Sequence, residues 1–271
     1  MQIIKYKWYD FEPFFILNNN GLFKMKLFMQ DINIKIGKKF CIGFFKDGKY
    51  NQCPESREIE YGHHCNECMI NDDFFQCIQC DGTICINEKR RNECITNNYF
   101  IYLAAFDNIL KVGISYEHRI IERLIEQGAD FGAKIAFVKD GKNVRIIEQQ
   151  IKKTLSISDR VRGEEKQAVL FGNPNRSAMA ISNAIKKLRN NGMEYLIRPE
   201  IYDLRKYYHL ENVFSKPKEI KINDDIDISG KVVASKGNIL VLMSDDKFYS
   251  INAHNLIGRD ILDMNSIAVA I

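Results

Sequence analysis

Cys65-x2-Cys68-x8-Cys77-x2-Cys80 is the pattern in this chain with the most specific chemistry. Each CxxC makes a tight knuckle that aims two sulfurs at one point, and two knuckles supply the four tetrahedral thiolates that zinc prefers. Iron–sulfur ligation uses the same ligands, and the bland alternative is a set of free buried thiols. Cys41, Cys53, Cys85 and Cys94 complete the eight cysteines. Four is the number a second zinc site needs, with His63 or His64 able to replace one ligand. Their irregular spacing equally suits small buried apolar residues.

A second feature is a carboxylate inside an apolar stripe. On a helical wheel, Val144, Ile147, Ile151 and Leu155 share one face, and Glu148 falls within it. A carboxylate facing a core is costly unless it is paired, protonated or coordinating a cation. Arg119 and Arg123, four apart on a preceding helix, share a face and are candidate partners.

The elements that position these groups follow from turn and cap signals. Residues 1–60 read as a β-rich segment, with strand candidates at Phe14–Leu17, Leu22–Met29 and Ile32–Ile36 between Asn/Gly/Lys turns. Residues 61–96 hold six of the eight cysteines and little to form a core, so they read as a zinc module folded by its metal. From Tyr99 a hairpin is expected. Its strands are Tyr99–Phe106 and Ile109–Ser115, turning at Asp107-Asn108. Helices follow at Tyr116–Gln127, closed by Gly128, and at Val144–Leu155, capped by Asn143, with a strand at Lys134–Val138 between them. A further helix is expected over Ser177–Asn190. Residues 97–214 are thus an α/β domain with a helical extension. Past Ser215-Lys216-Pro217-Lys218, residues 215–271 read as a small β-barrel of the SH3-like or OB-like kind. The fold class is α+β.

Charge narrows the partners. The net charge is only +4, which gives no overall polyanion-binding character. Residues 176–221 are locally basic, with ten Lys/Arg against five Asp/Glu, whereas residues 222–271 hold four against seven. Lys186, Lys187, Arg189, Arg205 and Lys206, with Tyr202, Tyr207 and Tyr208 among them, could grip phosphates and stack on bases. Such mixtures are more often solvated and core faces respectively. No stretch approaches the ~20 apolar residues of a membrane span. The first residues lack the pattern of an export signal, so the expected location is the cytoplasm, where patterned cysteines favour metal over disulfides.

The order of hairpin, Lys111-Val112-Gly113-Ile114-Ser115, helix with arginines, strand and helix with a glutamate resembles the GIY-YIG nuclease domain. The stretch from Cys41 to about Arg160 further resembles the uncharacterised family domain of unknown function 2797. That second likeness rests on Cys53-Pro54, the CxxC pairs, Cys80-Asp81-Gly82, Cys85, Cys94, Tyr102-Leu103-Ala104, Leu110-Lys111-Val112-Gly113-Ile114, Glu126-Gln127-Gly128-Ala129, Glu148 and Asp159-Arg160, with the C-terminal Ser229-Gly230-Lys231-Val232 and 236–242 segments also similar. The nuclease resemblance implies a function acting on nucleic acid. Tyr102 would be the general base or nucleophile-positioning group, and Gly113 a position where close backbone approach forbids a side chain. Arg119 or Arg123 would stabilise the phosphoryl transition state, and Glu148 would bind magnesium or manganese. Two departures stand out: Phe100 replaces the GIY glycine, and Lys111 stands where the second tyrosine would. A non-catalytic nucleic-acid-binding module, or a structural or regulatory scaffold, is the competing reading.

Overall fold

The structure is a computed structural model and describes residues 1–78, 80–85, 87–193 and 196–264. Along the chain run β1 (Gln2–Tyr9), β2 (Glu12–Asn18), β3 (Leu22–Lys26), β4 (Asp31–Lys39), β5 (Phe44–Lys46), β6 (Lys49–Asn51) and α1 (Asn66–Asn71). Next come α2 (Phe75–Ile78), α3 (Arg91–Thr96), β7 (Asn98–Phe106), β8 (Ile109–Tyr116), α4 (Ile120–Gln127), β9 (Phe131–Lys139) and α5 (Gly141–Leu155). They are followed by α6 (Gly163–Ala168), α7 (Pro174–Asn190), β10 (Leu196–Asp203), β11 (Lys218–Glu219), β12 (Ile226–Lys236), β13 (Ile239–Ser244), β14 (Lys247–Asn252) and β15 (Arg259–Met264). The fold is mixed α+β, and two compact units divide it: residues 1–75 with 209–271, and residues 76–208.

The first unit is built on a nine-stranded sheet in the order β11-β14-β13-β12-β4-β15-β1-β2-β3, beside the separate β5-β6 hairpin. β4 shows why. Its Ile32, Ile34 and Ile36 are buried while Asp31, Asn33 and Lys35 are exposed, so one face must pack. Its neighbours come from the far end of the chain: Ile228 pairs with Ile34 on one side, and Ile261 with Ile36 on the other. The expected strands of residues 215–271 therefore form, with Asp245-Asp246 at positive φ in the β13–β14 turn. They do not make a barrel of their own: they enter the same sheet as residues 1–39, because each side of β4 needs a hydrogen-bonded partner.

The second unit has a four-stranded antiparallel sheet in the order β10-β9-β7-β8. The β7–β8 hairpin turns at Asp107-Asn108 as expected, with Asp107 at φ +53°. Tyr99, Ile101, Leu103 and Ala105 alternate along β7 and bury one face beneath Val144, Ile147, Ile151 and Leu155 of α5, and Ile181, Ile185 and Leu188 of α7. α4 ends at Gly128 in the left-handed conformation, and the amide of Gly128 donates to the carbonyls of Ile125 and Leu124. α5 begins earlier than the expected Asn143 cap. The carboxylate of Asp140 accepts from the amide of Lys142, and Arg91 fixes that carboxylate through two hydrogen bonds. α7 likewise starts earlier, at Pro174, with Asn173 as its cap. No described helix is long and apolar enough to cross a membrane.

Candidate functional site

In the first unit, Cys41, Cys53, Cys65 and Cys68 are all buried, and their sulfurs lie within 4.8 Å of one another. The Cys53 and Cys65 sulfurs are 3.9 Å apart. A disulfide would bring them to about 2 Å. Two ligands of a tetrahedral ion with bonds of about 2.3 Å stand about 3.8 Å apart. The spacing is that of a metal cage, and the four cysteines can hold a metal such as zinc.

Local backbone builds this cage. Cys41 follows β4 and Cys53 follows β6, so the β5–β6 hairpin folds the two sulfurs together. Gly43, at φ +75°, makes the turn after Cys41, where a side chain would strike the carbonyl of Asn51. Cys65 is the N-cap of α1, and Cys68 lies on its first turn. The amide of Cys65 donates to the Cys41 sulfur at 3.1 Å, joined by the amide of Gly43, and the amides of Arg57 and Glu55 approach the Cys53 sulfur. Such N–H···S bonds orient and stabilise thiolates. Burial pushes the thiol of Cys68 strongly up, and that of Cys41 up; burial also acts on Cys53, but its backbone donors and neighbouring thiols outweigh it and hold that thiol down.

This grouping departs from the set that the two CxxC knuckles suggest. Cys65 and Cys68 gather with Cys41 and Cys53, whereas Cys77 and Cys80 belong to the second unit with Cys85 and Cys94. The physical reason is that a hairpin can close a long sequence gap as tightly as a knuckle closes a short one. Histidine replaces none of these ligands. His64 places Nδ1 2.7 Å from the carbonyl of Gly43 and so braces the turn. His63 is held to about 4, first by burial and then by the charges of Lys39 and His254, and so is neutral at neutral pH.

In the second unit, the sheet face opposite the α5–α7 core carries Tyr102, Gly113 and Lys111. Tyr102 of β7 pairs in register with Gly113 of β8, and Ala104 with Lys111. A Cβ built on Gly113 would lie 2.5 Å from both Cζ and the hydroxyl of Tyr102. The bare glycine backbone is therefore the floor on which the tyrosine ring rests. Tyr102 is 1% exposed. Burial raises its pKa, the Arg123 guanidinium beside it works the other way, and Glu148 and Glu126 are near enough to add to the rise.

Helix α4 supplies Arg123, and Arg119 stands at its N-cap. Arg119 binds Glu122 at 3.1 Å and Glu126 at 2.9 Å, and Arg123 binds the other oxygen of Glu126 at 3.2 Å. Glu126 thus bridges the two arginines. Lys111 is buried, and its Nζ donates to Gln127 Oε1 at 2.8 Å. Burial first, and then Arg123, bring its pKa down to about 8, while Glu148 and Asp159 oppose the fall. Lys166 of α6 is held at about 7, by burial and then by Lys111 and Arg123. No pattern in the sequence pointed to Lys166, because a lone lysine on a short helix has no signature.

Glu148 is buried on α5, as the helical wheel predicts. Among the described residues it has no hydrogen bond or ion pair, and the expected pairing with Arg119 or Arg123 is replaced by their bonds to Glu122 and Glu126. Burial raises its pKa, and nearby Asp159 adds to the rise; Arg145, Lys111 and Lys152 oppose it. Tyr102, Lys111, Arg123 and Glu148 therefore share one electrostatic neighbourhood, while Arg119 lies at its margin.

The basic and aromatic stretch divides. Tyr208 is fully buried and donates its hydroxyl to the carbonyl of Ala129 at 2.7 Å, so it is core and cannot stack on a base. Arg205 is paired with Asp203, and Tyr202 donates to Glu200. Lys186, Lys187 and Arg189 remain exposed on α7.

The chain belongs to the family described as Protein of unknown function (DUF2797), which matches residues 30–260. No curated protein and no solved structure matches it.

Proposed function

We propose that this chain is a zinc-containing, cytoplasmic protein acting on nucleic acid, and that its second unit is a divalent-metal-dependent endonuclease of GIY-YIG type. The observation that carries the reading is the ring of Tyr102 resting on Gly113 with Arg123 beside it and Glu148 in electrostatic range. Zinc at Cys41, Cys53, Cys65 and Cys68 is structural in this reading. It is a closed four-thiolate site with no position left for substrate.

The donor set around Glu148 suits magnesium or manganese. Glu148 offers a hard carboxylate, and the nearby Asp159 a second one that Lys152 now holds at 2.9 Å; magnesium needs only one or two of these, with water and phosphate oxygens completing its shell. The bound ion would supply charge stabilisation at the leaving oxygen. Tyr102 would orient the attacking water and accept hydrogen bonding from Arg123. Arg123 and Lys111 would neutralise the phosphate, and Arg119 would hold Glu126 so that Arg123 keeps its place. The exposed cations of α7 would add sequence-independent affinity.

The test compares wild type with Glu148→Gln on single-stranded DNA, duplex DNA and structured RNA, with magnesium or manganese. Metal-dependent cleavage lost in the variant, with affinity retained, supports the nuclease. No cleavage of any substrate by wild type moves the assignment to a binding module. One observation favours that second reading: at 1% exposure the Tyr102 phenol is closed to solvent.

A further inference from the structure

The geometry points to a second metal centre in the second unit, with Cys77, Cys80, Cys85 and Cys94 as the ligands of a zinc-like thiophilic ion. Three pieces of chain carry these cysteines, and all three dock on the first turns of α5. The carbonyl of Cys77 accepts from Arg145 Nη2 at 3.0 Å. Gly82, between Cys80 and Cys85, lies so close to the carbonyl of Lys142 and to Ile146 that a Cβ there would meet them at 2.6 Å and 2.9 Å. The Cys94 sulfur lies against Gly141 at the helix start, on a helix tied down by the Arg91–Asp140 pair. Asn87 links two of the sulfurs: its Nδ2 donates to Cys77 at 3.6 Å, and Cys85 donates to its carbonyl at 3.5 Å. The amide of Cys80 turns back to the carbonyl of Cys77 at 3.4 Å, and this turn brings the two ends of the CxxC together.

A second observation is independent of the thiols. Among the described residues of 76–96, no apolar side chain other than cysteine gives this segment a buried core. α2 and α3 bury no residue, and Ile78, Ile84 and Ile95 are 68%, 71% and 40% exposed. A stretch that folds without burying apolar side chains needs another source of cohesion, and metal ligation is the usual one. These four sulfurs do not lie within 4.8 Å of one another as those of the first centre do, so binding has to draw them together by side-chain rotation and movement of the 80–85 loop. Each thiol that becomes a ligand gives its proton to solvent.

The test is native mass spectrometry of the full reduced chain with metal analysis, together with per-cysteine alkylation by iodoacetamide. Two metal ions per chain are expected. Cys77, Cys80, Cys85 and Cys94 should be protected as purified and should alkylate after chelation. Cys77→Ser/Cys80→Ser should lower the count from two to one, with Cys41, Cys53, Cys65 and Cys68 still protected. One ion per chain, with Cys77, Cys80, Cys85 and Cys94 of wild type alkylating at free-thiol rates, overturns the proposal. Two ions that persist in the double variant also overturn it. The wild-type alkylation pattern decides the matter if the variant does not fold. It also separates failure of this centre from failure of the first, because the two sets of cysteines are read individually.

Discussion

Tyr102 and Gly113 face each other across the β7–β8 ladder, and the tyrosine ring occupies the space that any side chain at 113 would need. Gly113→Ala puts a methyl group 2.5 Å from the ring carbon and the hydroxyl. The ring is fully buried and cannot swing away, so the variant should lose about 1–3 kcal/mol through overpacking. Urea unfolding of the two proteins measures this. An unchanged midpoint would mean that the ring yields easily and that the close approach is not a constraint.

The four-cysteine cage, once it holds a metal, should be a large stability element. Cys53→Ser removes one of four buried ligands and leaves three thiols whose burial is no longer offset by metal. The expected result is loss of one metal equivalent and of several kcal/mol or more of stability in the first unit. Metal analysis and thermal unfolding check it. Retention of full metal content in Cys53→Ser would remove Cys53 from the ligand set.

How the cysteines divide shows what a sequence can and cannot disclose. The CxxC at 65 and 68 is legible because both ligands lie on one local turn. Cys41 and Cys53 could be named as ligand candidates but not assigned, because the β5–β6 hairpin that joins them is only three residues per strand. The Asp107-Asn108 hairpin, the Gly128 cap and the buried face of Glu148 were readable for the same reason: each depends on neighbours a few residues away. The partners of Arg119 and Arg123 were not, since Glu122 and Glu126 offered competing carboxylates on the same helix. Hardest of all was the pairing of β4 with β12 and β15, where alternation marks each strand but nothing local names its neighbour.

That pairing has a direct consequence for truncation. Deleting residues 222–271 strips β4 of both neighbours and exposes the edge of β1. The remaining first unit should lose its cooperative unfolding transition and become protease-sensitive, rather than persist as a trimmed domain. Limited proteolysis with near-ultraviolet circular dichroism tests this. A sharp transition retained by the truncated chain would mean that the C-terminal strands are dispensable.

Lys111 makes the stability pH-dependent on the alkaline side. Its pKa falls from an ordinary 10.5 to about 8 in the folded protein. Between those values the unfolded chain binds more protons than the folded one, so stability rises with pH from about 8 towards 10. Below about 8 both states are charged and the cost of burying the ammonium is constant. Lys111→Met should be more stable than wild type at pH 7, by on the order of 2 kcal/mol, and should lack this component of the alkaline rise. Denaturant midpoints from pH 7 to 10 read both effects. An equal slope in the two proteins would assign the rise to other lysines.

Glu148→Gln has a sign that the ion pairs determine. Had the carboxylate held Arg119 or Arg123, removing its charge would have stranded a cation. Those arginines are held by Glu122 and Glu126 instead, and burial outweighs the attraction of Arg145, Lys111 and Lys152 for Glu148. Its folded pKa is therefore raised, so the folded state takes up a proton more readily than the unfolded one. Stability from this group is greatest at acid pH and falls as pH rises from the ordinary carboxylate range through the folded value. The neutral glutamine mimics the protonated form. Glu148→Gln should be about 1 kcal/mol more stable than wild type at pH 7 without divalent metal, with the difference shrinking towards pH 4. Adding magnesium should stabilise wild type and leave the variant unmoved, because only the carboxylate holds a cation. A variant that is less stable than wild type in metal-free buffer would show that Glu148 has a cationic partner in solution. A wild type indifferent to magnesium and manganese would remove the metal, and with it the nuclease, from this site.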